Sequence, residues 1–198
     1  MLIPVFCVLA FSSGCVYDEM QTEVVATEKV VVQFDEYRES PDIGSAVVVD
    51  DFKKRLMGKL DDYGVELEDV ISITMVSGEY KVTKPSRSHD WTVTGEVTIK
   101  RQDDPSGPVT EGPEIFVNLT NQSLDAAGGM PVPADLNSAG VGVVNNALAD
   151  LKMGGDPRLI VTMESDDITP APSMADPLSF KWQARIVFQI VIDMSVSG

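Results

Sequence analysis

Histidine is nearly missing from this chain: His89 is the only one among 198 residues. A histidine-rich metal centre of the HExxH kind therefore cannot be built. Cysteine is confined to Cys7 and Cys15. Basic residues are outnumbered, 15 Lys and Arg against 31 Asp and Glu, for a formal charge of −16. Binding nucleic acid depends on Lys and Arg displacing counterions along phosphates, so nucleic acid is excluded as a partner. The same field repels anionic bilayers, and a basic patch cannot be what holds the protein to one. No GxSxG occurs, and neither an internal repeat nor a βαβ periodicity is found.

What the chain does contain is one long alternating stretch, Leu178 to Val196. Its even positions (Leu178, Phe180, Trp182, Ala184, Ile186, Phe188, Ile190, Ile192, Met194, Val196) are all apolar, and the odd ones begin Ser179, Lys181, Gln183, Arg185. Period-two alternation marks a half-buried strand, because successive side chains leave a pleated strand on opposite faces. From Val187 the odd face turns mixed, which predicts cover on both sides of the second half. At about 3.3 Å per residue the stretch would run roughly 60 Å if straight, so a bend, a bulge or a change of sheet is expected within it.

Shorter strands are expected at Val30–Phe34, Val70–Val76, Glu79–Thr83, Trp91–Ile99, Glu114–Thr120 and Arg158–Glu164. Ser77-Gly78 suggests a tight hairpin between the second and third of these. Phe52, Leu56, Leu60 and Tyr63 place one apolar face on a helix over Asp51–Tyr63, stopped by Gly64. Val141, Val144, Leu148 and Leu151 mark a second helix, capped by Asn137 or Ser138 and ended by Gly154-Gly155. Two long Pro-rich connections, Arg101–Pro113 and Asp166–Pro177, separate strands. About seven strands and two amphipathic helices predict a mainly β protein, an antiparallel β-sandwich of Ig-like or jelly-roll-like type. An outer-membrane barrel would need more strands and aromatic girdles.

At the N-terminus Leu2–Phe11 is an uncharged apolar run of ten, too short to cross a bilayer as a helix but matching a signal-peptide h-region. It is followed by Ser12-Ser13-Gly14-Cys15, which resembles the lipobox of bacterial lipoprotein signal peptides. The resemblance covers about fifteen residues and implies that residues 1–14 are removed and that Cys15 is acylated, palmitate being one such chain. Val16 rather than Asp after that cysteine implies the outer membrane of the cell envelope. An ordinary cleaved signal peptide and a buried N-terminal strand are the other readings of this run. The expected organisation is a signal peptide at 1–14, the lipidated cysteine and a tether at 15–28, and one domain at 29–198.

Candidate chemistry is sparse. Ser88-His89-Asp90 names the members of a hydrolase triad, but neighbours in an extended chain point apart. Gly140-Val141-Gly142 opens a helix without the third glycine of a phosphate loop and reads as a helix entrance. Trp91 and Trp182 could stack on sugars, but their apolar-face positions favour the core. Asp103, Asp104, Asp166 and Asp167 offer the hard oxygens that Ca²⁺ prefers, without the spacing of a dedicated calcium loop. The reading that follows is a lipid-anchored envelope module, non-catalytic, with no required cofactor, meeting an envelope protein or glycan through its loops. The alternatives are calcium-assisted carbohydrate or peptide binding, and an extracytoplasmic hydrolase that uses two carboxylates.

Overall fold

The computed structural model describes residues 22–39, 44–83, 89–125 and 130–193. The h-region, Ser12 to Cys15, the first part of the tether, the turn at Pro85–Ser88 and the last residues Met194–Val196 lie outside these. In chain order the elements are β1 (Thr22–Arg38), β2 (Gly44–Val49), α1 (Phe52–Tyr63), a short 3₁₀ turn (Leu67–Asp69), β3 (Val70–Thr83), β4 (Thr92–Arg101), β5 (Glu111–Ser123), β6 (Val132–Pro133), α2 (Ser138–Lys152), β7 (Leu159–Thr169) and β8 (Leu178–Asp193).

They form two four-stranded sheets, ordered β1-β8-β3-β6 and β2-β7-β4-β5, with every pairing antiparallel. The chain changes sheet at each connection except β4–β5. Of the two sandwich types left open by the sequence, this eight-strand order is the jelly roll; an Ig domain keeps its first two strands in one sheet.

The pairing also sorts the connections. Arg38 stands opposite Leu178, Thr83 opposite Lys181, and Thr92 opposite both Thr169 and Ser123. The four connections 39–43, 84–91, 124–131 and 170–177 are therefore rooted at one end. Thr22 stands opposite Asp193, Val70 opposite Ile192, and Arg101 opposite Leu159. The start of β1, both helices and the 102–110 connection belong to this second end.

β8 is central, paired on both edges, and its even positions from Leu178 to Ile192 are buried. Val187 is buried on the odd face as well, as the mixed pattern there predicts. The irregularities expected in β8 fall in its neighbours instead. Val25 in β1 and Ile71 and Val76 in β3 are the extra residues in the register. A bulge in a partner bends the pair and lets the central strand run unbroken.

Several boundaries differ from expectation. β1 runs back to Thr22, so residues 22–28 belong to the sheet rather than to the tether. Val70–Val76 and Glu79–Thr83 are one strand, not a hairpin. Gly78 sits where Leu136 presses, 3.0 Å from where a Cβ would be, so its lack of a side chain serves packing and not a turn. Tyr63 is exposed while Phe52, Leu56 and Leu60 are buried, and the helix turns away from the core at its last residue. Asp51 makes no side-chain cap; its carboxylate pairs with Arg55 at 2.7 Å instead. Gly64 ends α1 in a left-handed conformation with φ of 66°, which costs glycine nothing. Asn137 caps α2 by accepting from the Ala139 N–H at 2.9 Å.

Candidate functional site

The four aspartates with candidate calcium chemistry lie on two different parts of sheet β2-β7-β4-β5. Asp103 and Asp104 follow β4. Asp166 and Asp167 lie within β7, which runs on to Thr169, so they belong to a strand and not to the loop expected there. β4 sets Arg101 opposite Leu159 and Thr94 opposite Asp167. Seven residues of strand separate the two pairs, about 23 Å. The fold does not bring them together.

Asp103 and Asp104 also have local work. The Arg101 guanidinium grips Asp103 with two contacts of 2.7 Å and reaches Asp150 of α2 at 2.8 Å. The Arg101 side chain is only 13% exposed, so this knot is partly shielded from water. The hydrogen bond from Arg101 holds the Asp103 carboxyl below the usual carboxylate range, and its partner acids push the guanidinium above its ordinary value. Asp104 accepts from the Ser106 N–H at 2.8 Å and shapes the turn. The knot ties the 102–110 connection and α2 to β4. Gly155 belongs to it too, because a Cβ there would lie 2.1 Å from the Asp150 carboxylate. Sequence reasoning missed the role of Arg101; a cation at a strand end, two residues before an acid, was the available signal. At the other pair, Asp167 accepts from the Thr169 hydroxyl at 2.9 Å. Among the described residues no group of three or more His, Cys, Asp or Glu could hold a metal ion.

A different acid pair does meet. Glu96 of β4 stands directly opposite Glu164 of β7, with Asn118 of β5 on the other side of Glu96. Like charges at directly opposed positions are unfavourable in a sheet. Neither acid is buried, so water screens the pair.

Ser88 lies outside the described residues; His89, beside it in the sequence, pairs through its Nε2 with Asp176 at 2.5 Å, and its ring meets Trp91 edge-on at 5.5 Å. This contact joins the 84–91 and 170–177 connections at the four-connection end. Both tryptophans are core residues, Trp91 fully buried and Trp182 packed between Phe34 and Tyr80 at ring distances of 5.6 and 6.1 Å. Gly140 has its own structural reason, since a Cβ there would fall 2.6 Å from the Ile115 carbonyl oxygen and 2.7 Å from the Phe116 Cα. It lets α2 lie against β5.

Two small, partly open hollows of about 10 Å³ each reach into the core, room for a single water at most. A larger open hollow, about 380 Å³, is lined by Glu66, Leu67, Glu68, Lys152, Met153 and Gly154. Around it, Glu66 and Asp69 cap the 3₁₀ turn reciprocally, Lys152 donates to the Ile71 carbonyl, and the Gly154 carbonyl accepts from Lys53 at 2.8 Å. Among the described residues no helix is long and apolar enough to cross a membrane.

No protein-family model matches the chain, and no curated protein matches it. A chain of a solved nora virus structure is similar at 15% identity, with a TM-score of 0.23, over 86% of this chain and 61% of that one. The present chain thus spans less than two thirds of that chain's length.

Proposed function

We propose that the protein is a lipid-anchored module of the bacterial cell envelope, at the outer membrane, which acts without catalysis and meets an envelope protein or glycan through the four connections at one end of its jelly roll. The observation that carries this reading is the polarity of β1. Thr22 follows Cys15 by seven residues, which span at most about 25 Å when extended. An acylated Cys15 would hold the helix-bearing end near the bilayer. The four-connection end would then face away, one strand length further out. Met174 and Met130 are 85% and 71% exposed on connections of that end, and flexible thioether side chains suit adaptable contacts.

Mass spectrometry and membrane fractionation of the parent against Cys15→Ala test the anchor. The expected result is acyl mass on Cys15 and membrane retention in the parent, both lost in the variant; a parent without acyl chains that stays in buffer overturns it. The Glu96 and Glu164 pair favours a second reading, a hydrolase using two carboxylates. Glycan hydrolysis abolished by Glu96→Gln or Glu164→Gln would replace the first reading with this one.

A further inference from the structure

The end of the sandwich where β1 begins also gathers apolar side chains at the surface. Leu67 and Met153 line the open hollow of about 380 Å³, Leu67 half-buried and Met153 78% exposed. Lys152, in the same lining, donates to the Ile71 carbonyl, and the Ile71 side chain is 38% exposed. Lys53 donates to the Gly154 carbonyl and brings the first turn of α1 to the same place. The apolar group is thus rimmed by charges of both signs, Lys53 and Lys152 with Glu66 and Glu68. Ile192 of β8 pairs with Glu23 on one side and with Val70 on the other. The root of the N-terminal segment therefore lies two strand spacings, about 10 Å, from the start of β3.

We infer that Leu67, Ile71 and Met153 rest on a zwitterionic phospholipid surface at headgroup depth, so that the helix-bearing end lies against the bilayer instead of hanging clear of it. In taking its tether from Cys15, this contact rests on the anchor reading. Tether length and charge choose the occupant. The seven residues from Cys15 to Thr22 span at most about 25 Å, so an acylated Cys15 holds this face at an effective concentration on the order of millimolar toward the lipid. A contact too small to retain a free protein suffices there. The rim of both signs matches headgroups that carry a phosphate and an ammonium, whereas the net charge of −16 opposes an anionic surface.

The exposed methionines serve as probes, Met153 on this face and Met174, 85% exposed, at the opposite end. Hydrogen peroxide transfers one oxygen to a thioether sulfur, giving the sulfoxide and water. The full chain with Cys7→Ser is coupled through Cys15 to a maleimide lipid in phosphatidylcholine vesicles, which supplies the tether whether or not the cell acylates that cysteine. Peptide mass spectrometry follows the oxidation. Met153 should oxidise roughly fivefold more slowly on the vesicles than in solution, with Met174 unchanged. Ile71→Asp, its fold confirmed by circular dichroism, should return Met153 to the solution rate, and added phosphatidylglycerol should lessen the shielding.

A Met153 that oxidises equally fast in both states overturns the inference. So does shielding that ignores Ile71→Asp or grows with phosphatidylglycerol. Acyl mass on Cys15 in the cell without shielding on vesicles removes the contact and keeps the anchor; shielding without acyl mass keeps the contact and removes the anchor.

Discussion

The two halves of β8 carry one alternating pattern and are buried by different neighbours. Trp182, Ala184 and Ile186 share the lining of one small hollow with Val97, Phe116, Val117 and Val161, side chains of the second sheet. Phe188 and Ile190 share the lining of the other with Phe52 and Leu56 of α1 and Leu148 and Leu151 of α2; Phe52 and Phe188 lie 5.8 Å apart between ring centres. Strand periodicity thus declares that a face is to be buried without naming what buries it. The sandwich is sheet on sheet for half its length and helix on sheet for the rest, and β8, which runs through both parts beside β3, is the strand with the longest uninterrupted pattern.

The sharpest test of this difference uses one residue type at two places. Ile186 and Ile190 are each 1% exposed, so transfer from water contributes equally. Ile186 is clamped between hydrogen-bonded sheets, whereas Ile190 lies under helices that can shift. Ile186→Ala should cost about 4 kcal/mol and Ile190→Ala about 3, because a site that relaxes leaves a smaller cavity. Urea unfolding measures both, and equal costs would mean that the two covers are equally rigid.

The knot at Arg101 joins the helical cover to the second sheet, and Arg101→Met should cost about 2 kcal/mol near neutral pH by leaving two acids without their cation. Its pH dependence follows from Asp103. The folded carboxyl titrates below its ordinary value of 3.8, so its stabilisation is complete above that value and is lost as pH falls through the lower, folded one. The stability gap between parent and variant should therefore narrow in strong acid. A gap unchanged between about pH 7 and about pH 3 would show that the carboxylate pairing is not its source.

The smallest effects lie within α2 and should differ in sign. Gly140→Ala pushes a methyl into the β5 backbone and should destabilise by about 1–2 kcal/mol. Gly142 has nothing within 4 Å of where its Cβ would be. Gly142→Ala should stabilise by about 0.5–1 kcal/mol through helix propensity. Two thermal melts decide it, and a common sign would break the account of how α2 seats on β5.

Much of this architecture is legible in the residues because it rests on local periodicity. The alternation from Leu178 gives β8 and its buried face, the four-residue spacing of Phe52, Leu56 and Leu60 gives α1, and the burial of Trp91 and Trp182 follows from their faces. Other features depend on contacts that no local pattern encodes. Gly78 resembles a turn residue until Leu136 is seen against it. Residues 22–28 read as a tether because their pairing partners, Phe188 to Asp193, lie 160 to 171 positions later. The candidate acids are the clearest case. Asp103 and Asp167 look equivalent in the sequence, each half of a doublet near a Pro-rich connection, and the β4–β7 register sets them a strand length apart. That same register brings Glu96 and Glu164, 68 positions apart, face to face.

The sequence by itself determined the secondary structure class, the central strand and the faces to be buried, because pleat and helix repeat within a few residues and apolar side chains must leave water. The tertiary structure alone decided the jelly-roll strand order, the neighbours covering each half of β8 and the acids that meet. Each of these depends on which distant segments exchange backbone hydrogen bonds, and that choice is made by the closure of the whole core.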